Sequence, residues 1–292
     1  MDIILHWWVL LALATLAGGF AFTPLVARTE ALAAYRQRAR SRKRRVLWAA
    51  LGAAVVATLA SSLYNAVTGG LSSFVNMQLG LLIVRLIVLA SLSVLLWRGL
   101  DETGWVLLPV LALLLTQSLS SHSAGLAQPL APVLADWAHL TFTSIWLGGV
   151  AMLALLSAPL AEPKDLGLLI ARFSPLAMFC VLAVTLTGIA QSASFLGSLE
   201  NLLITSYGRV ILLKVALLLA LIGFGAFHQQ VISPRLQAWR LRDVAGAQQA
   251  ARRFRIGIVL ELGVSVLILL AAGALTALPP AAALRVTSII YV

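Results

Sequence analysis

Eight long apolar runs, separated by short polar connections, constrain this chain more than any other feature. They occupy residues 3–26, 46–66, 79–97, 105–119, 134–160, 173–196, 207–227 and 256–278. Each is close to the ~20 residues that carry an α-helix across a bilayer, although 105–119 is short and contains Pro109. A chain of 292 residues that is 61% hydrophobic and 11% charged has too little polar surface for a water-soluble domain. The expected fold is therefore all-α, a polytopic membrane protein with eight transmembrane helices in contact with the lipid bilayer. The first run has no basic leader and is followed by arginines, which predicts a retained helix rather than a cleaved signal peptide.

The charge is asymmetric. Twenty-one Lys and Arg against ten Asp and Glu give a net +11, and eight of the basic residues fall between Arg28 and Arg45. Arg235, Arg240, Arg242, Arg252, Arg253 and Arg255 lie between runs seven and eight, with Arg98, Lys164 and Arg172 near the remaining connections on that side. Only Arg209 and Arg285 flank the other side. The positive-inside rule makes the basic side cytoplasmic, and an even number of spans places both termini outside. Such loops are topology signals that also touch anionic lipid; without aromatic interleaving or a binding motif, nucleic acid is not an expected partner. The stretch from Arg240 to Arg255 is expected to form a surface helix on the cytoplasmic leaflet.

A repeat of four plus four helices is also suggested, with halves at 1–126 and 127–292. Gly18-Gly19 matches Gly148-Gly149, Ala57-Thr58-Leu59 matches Val184-Thr185-Leu186, and Gly80 with Arg85 matches Gly208 with Lys214. Four helices per unit preserve orientation, so the repeat would be parallel.

Ionisable groups inside hydrocarbon are costly and mark functional sites. His139 lies about a turn inside the fifth run, three residues after Asp136 and so on the same helix face; the carboxylate can orient the imidazole or share a cation with it. His122, in the outer connection, and His6, beside Trp7 and Trp8, stand at the same level, as does the thioether of Met77. An outer vestibule with histidines and no basic residue suits a soft or borderline cation such as copper, as Cu+ or Cu2+. Trp146 lies deeper on the same helix. Met152 and Met178, deeper still, read as filler.

Glu261 sits a turn and a half into the last run from the basic side and needs a basic partner, for which Lys214 or the cluster Arg252–Arg255 is available. His228 ends the seventh run, where a helix C-terminus attracts an imidazole. Arg85 and Lys214 must each be paired or face an anion, because fixed positive charge in the outer half repels a metal cation. An anion that fits is a propionate of haem b, with His139 and another outer histidine as axial ligands. Cys180 is the single cysteine, so neither an internal disulfide nor a cysteine-pair metal motif exists. No Walker motif, dinucleotide-binding glycine loop, zincin helix or nucleophile elbow occurs. A transporter is expected rather than an enzyme, with haem-dependent redox activity left open.

The second half resembles the copper resistance protein D (CopD) family. The resemblance rests on Asp136-Trp137-Ala138-His139, Trp146-Leu147-Gly148-Gly149, Arg172-Phe173-Ser174, Thr187-Gly188, Ser206-Tyr207-Gly208-Arg209, Lys214 and Leu260-Glu261-Leu262, over about 134–280. It implies a bacterial inner-membrane protein that moves copper inward from the periplasm, often beside a periplasmic copper-binding protein. The residues then expected to meet metal are His139, His122, Asp136, His6 and Met77, with Glu261, Lys214, Arg85 and Trp146 on the path or in buried ion pairs. Two alternatives stay open: a membrane haem b protein of electron transfer or haem metabolism, and a copper-delivery factor that does not transport.

Overall fold

The computed structural model describes residues 3–70, 72, 75, 78–121, 129–237 and 244–279. Met77, His122, Arg240, Arg242 and Arg285 lie outside the described residues. Every regular element among the described residues is helical. The main helices are α1 (Ile3–Phe22), α2 (Ala33–Gly69), α3 (Leu79–Trp97), α4 (Leu107–Ser118), α5 (Leu130–Met152), α6 (Pro163–Leu196), α7 (Ser206–Phe227) and α8 (Val244–Ala277). Seven helical stretches are long and apolar enough to cross a membrane, and Gly104–Ser118, which contains α4, is a shorter apolar one. Helices dominate because a backbone in hydrocarbon can bond only to itself.

Several helices run past the ends of their apolar runs. The basic segment from Arg36 to Arg45 is the first third of α2, and Lys164 and Arg172 belong to α6. Residues 244–255 are continuous with α8, so they form no separate helix on the leaflet. Hydropathy falls at the first arginines, but Arg and Lys are good helix formers and prolong a helix already nucleated in lipid.

Two helices occupy the centre. In the span that includes α1, 78% of the most apolar window is buried within the protein; for the span containing α7 the figure is 6%. Thus α1 and α5 form the axis, while α3 and α7 turn most of their surface outward. The axis closes at glycine. A Cβ on Gly18 would collide with the backbone of Gly148, and one on Gly148 with the carbonyl of Ala14. The absence of side chains there lets two helix backbones touch. One residue on, Gly19 faces Leu47 and Met152, and Gly149 faces the Phe173 ring.

Around this axis, α1 packs on α2 and α8, and α5 packs on α6 and α4. The Trp7 indole donates to the carbonyl of Val266 on α8 at 3.4 Å, and the Trp137 indole to that of Leu111 on α4 at 3.0 Å. Both α1 and α5 run into a π-helical turn, at Thr23–Ala27 and Leu153–Ser157, and a third follows α7 at His228–Ile232. A proline lies in or just beyond each of these turns, at Pro24, Pro159 and Pro234. Proline has no N–H to give the regular ladder, which favours the widened turn.

The basic connections gather at one end of the bundle. Lys43 of α2 donates to the Asp101 carboxylate at 2.8 Å and to the Thr23 hydroxyl at 2.9 Å, in a pair almost wholly buried. Arg38 joins Glu162 at 2.8 Å and Asp165 at 2.6 Å, tying α2 to the start of α6. Arg172 donates to the Val26 carbonyl at 2.8 Å, and Tyr35 shares a hydrogen bond with Ser157 at 2.8 Å. Glu162 and Asp165 also form a capping box ahead of α6, with Pro163 as its first residue. Gly197, at φ 72°, ends the same helix in the left-handed conformation that glycine adopts without cost.

Candidate metal centre

His139 projects from α5 toward α6, where its Nδ1 lies 2.9 Å from the Thr187 hydroxyl oxygen. That hydroxyl gives its one proton to the Ala183 carbonyl at 2.7 Å, with Val184 as a longer second acceptor. With its proton so directed, the hydroxyl accepts from the ring, the arrangement in which Nδ1 carries hydrogen and Nε2 presents a lone pair. A hydrogen bond at one ring nitrogen is a common way to orient an imidazole that meets a metal through the other. Gly188 completes the seat, since a Cβ there would stand 3.4 Å from the ring carbon Cε1. The adjacent Thr187-Gly188 thus has two jobs: threonine sets the tautomer and glycine gives the ring room.

Thr187 thus contacts the ring from a second helix, while Asp136 stands on the imidazole's own helix. Asp136 lies one turn nearer the helix start, half-buried, and within electrostatic reach of Lys214 on α7. Lys214 also acts on His139 through its charge. An imidazole, a carboxylate and an ammonium from α5 and α7 thus share one region of the second half, backed by the α6 threonine.

Arg85 behaves differently. Its guanidinium donates to the Thr116 carbonyl at 2.8 Å, the Thr116 hydroxyl at 3.2 Å and the Ser120 hydroxyl at 3.2 Å, all at the C-terminal end of α4. Carbonyls at a helix C-terminus carry partial negative charge and suit a cation. Arg85 thus has neutral partners and the α4 dipole. With Lys214 beside Asp136, neither cation demands the propionate that motivated a haem.

The remaining candidates divide. His6 is half-buried on α1 next to Trp7. Trp146 is buried in the packed interior around α5 and α6. Met152 packs at Gly19, and Met178 is exposed on the outer surface of the bundle. Among the described residues no three His, Cys, Asp or Glu side chains gather closely enough to hold a metal ion.

Glu261 has a partner other than Lys214 or the arginines. Its Oε2 lies 3.1 Å from Nδ1 of His228, both side chains being buried. His228 belongs to the π turn after α7, and its ring rests on Phe254 at a centroid distance of 5.0 Å. Neither the role of Thr187 nor the His228–Glu261 pairing is apparent from spacing along the chain, because each joins helices distant in sequence. The only earlier sign of Thr187 was its place in the resemblance.

Comparison with known proteins bears on the same half. Residues 167–275 match the family Copper resistance protein D. The match begins in α6 and ends in α8, so it takes in Thr187, Lys214, His228 and Glu261 and starts downstream of His139. The chain is 33% identical over 119 residues to the Copper transport protein CutJ of Bacillus subtilis (strain 168), an alignment covering 40% of this chain. It covers 22% of that relative, so the chain spans only about a fifth of its length. No solved structure matches. Residues 167–275 of this multi-pass membrane protein are thus similar to the copper resistance protein D family.

Proposed function

We propose that this chain carries copper across the bacterial inner membrane, inward from the periplasm, as a transporter rather than an enzyme. The observation that carries the reading is the His139 imidazole, whose Nδ1 lies 2.9 Å from the Thr187 hydroxyl, an arrangement that leaves Nε2 available as a lone-pair donor. Copper is well served by imidazole, and a low-charge outer vestibule suits its capture. In this reading His139 and Asp136 form the entry site, with His122, His6 and Met77 as further donors from the same side. A periplasmic copper-binding protein would deliver the ion.

The chain is read as eight spans with both termini outside, α4 being the short one. Gathering of the basic segments at one end supports this orientation under the positive-inside rule. The halves 1–126 and 127–292 are read as parallel repeats. Support comes from pairs of features 130 residues apart: Trp7 and Trp137 as indole donors, Gly18 and Gly148 in mutual contact, and the two π turns.

The test is copper uptake by cells carrying the full chain. His139→Ala is expected to lower the uptake rate at least tenfold while the purified protein keeps its thermal transition. Wild-type uptake in that variant removes the proposed site. Copper bound by purified protein without change in cellular uptake would indicate a delivery factor, and a strong Soret band a haem protein.

A further inference from the structure

The buried pair His228–Glu261 has no role in copper entry, and its surroundings are unusual for an ion pair. Nδ1 and Oε2 approach to 3.1 Å, yet neither Glu261 Oε2 nor His228 Nε2 completes a well-aligned hydrogen bond with any described residue. Both side chains are about nineteen-twentieths buried. An ionised carboxylate in such a place is stable only if a counter-charge or a proton neutralises it.

The site has no room for a metal. A Cβ added to Gly257 would stand 2.5 Å from His228 Nε2, so the ring edge presses on the α8 backbone. Phe254 flanks the ring with an interplanar angle of 60°, and Phe227 precedes it. A proton needs no such space. The widened backbone of the π turn His228–Ile232 places this imidazole against Gly257, one turn before Glu261 on α8.

On α7, on α8 and after the π turn, the other charged groups among the described residues are cations. Arg255 lies six residues before Glu261, with Arg252 and Arg253 further out on α8. Arg235 follows the π turn, and Arg172 of α6 is engaged by the Val26 carbonyl. Lys214 on α7 precedes His228 by fourteen residues, about 21 Å along the helix. Cys180, a buried thiol, is a further titratable group of α6, and Tyr207 is one of α7. The two acids on the facing side, Glu162 and Asp165, are held by Arg38.

We propose that His228 and Glu261 form a proton-binding site, the coupling site that links passage of a proton to that of a monovalent copper ion arriving from His139. With one proton shared, the pair is neutral. When the proton leaves for the basic side, the pair becomes net negative and favours passage of the cation along the path beside it. Cu+ then leaves for the basic side and a proton from the outer side rebinds, so one proton and one Cu+ cross in the same direction, the pair returns to neutrality, and no redox step occurs. The coupling half of this proposal rests on the copper reading; the proton site itself does not.

Two measurements on the full chain separate these. In infrared difference spectra taken against pH without copper, a protonated-carboxyl band should appear, vanish in Glu261→Gln and shift in His228→Gln. No such band in the wild-type protein overturns the site. In liposomes holding a pH-sensitive dye, a gradient of Cu(I) should move protons with copper in the wild type. His228→Gln and Glu261→Gln should cut protons moved per copper at least tenfold, and an unchanged ratio in both overturns the coupling. If the carboxyl band titrates but wild-type liposomes move no copper, the copper reading fails and the proton site stands.

Discussion

In the first half of the bundle, Lys43 and Arg85 have fixed partners. Lys43 is enclosed by Asp101 and Thr23, and Arg85 is bonded to Thr116 and Ser120 at the end of α4. In the second half, the polar groups meet across helices: His139 on Thr187, Lys214 near Asp136, and His228 against Glu261. The basic end of the bundle is thus closed by a lysine–carboxylate pair in one half and by an imidazole–carboxylate pair in the other. On the proposed copper reading, the first half works as scaffold and the second carries the chemistry.

The largest effect that would break this contrast is in the scaffold. Asp101→Asn leaves the Lys43 ammonium buried without its counter-ion and is expected to cost ~3–5 kcal/mol, seen as a lower thermal transition of the purified protein. Lys43→Met combined with Asp101→Leu should recover most of that loss. A single variant as stable as the wild type would remove the basis for calling the pair a lock.

Next is the support for His139. Thr187→Val removes the oxygen that fixes the tautomer and should weaken Cu(I) binding by ~10–100-fold in competition titration, with little change in stability. Equal affinity would mean that the imidazole is oriented by something else.

The two outer cations sharpen the comparison. Arg85→Gln should cost about 1–3 kcal/mol of stability, because charged hydrogen bonds to α4 are lost, and leave Cu(I) affinity unchanged. Lys214→Gln should instead tighten Cu(I) binding several-fold by removing a repelling charge beside His139 and Asp136. Identical behaviour of the two variants would erase the distinction between halves.

The smallest effect joins the halves at the surface. Hydrogen bonds from Lys164 and then Arg38 hold the Glu162 carboxyl below the usual carboxylate range. Its stabilising contribution is thus complete above the ordinary carboxylate pKa and is lost as pH falls through the lowered folded value. Glu162→Gln should shift the thermal transition slightly downward at neutral pH, with the difference vanishing in acid. Glu162 is half-exposed, so the shift is small.

Much of this was legible along the chain. Apolar runs mark the seven helical stretches long enough to cross a membrane and the shorter Gly104–Ser118, because lipid imposes hydropathy directly on sequence, and Gly18-Gly19 and Gly148-Gly149 stand out at their regular spacing. Helix ends were less legible: α2 and α8 continue through arginines that a hydropathy reading treats as loop. The level of His139 follows from counting residues, but its partner does not. Asp136 is the obvious neighbour at three residues, whereas Thr187 is 48 residues away and reaches the ring only when α5 and α6 pack. The same holds for His228 and Glu261. Pairings across helices depend on rotation about each helix axis, which an apolar run does not encode.

The Gly18–Gly148 contact has one more consequence. Trp7 lies eleven residues to one side of Gly18 and Ala27 nine to the other, arms of about 16 and 14 Å at the helical rise. Bare backbone at the crossing offers no interlocking side chains to resist rotation, while the neighbours at either end are packed or hydrogen-bonded. A change in crossing angle of α1 and α5 therefore turns about this point as scissor blades do about their pivot. Spreading at the tryptophan end brings a matching spreading at the π turns, by nearly the same distance.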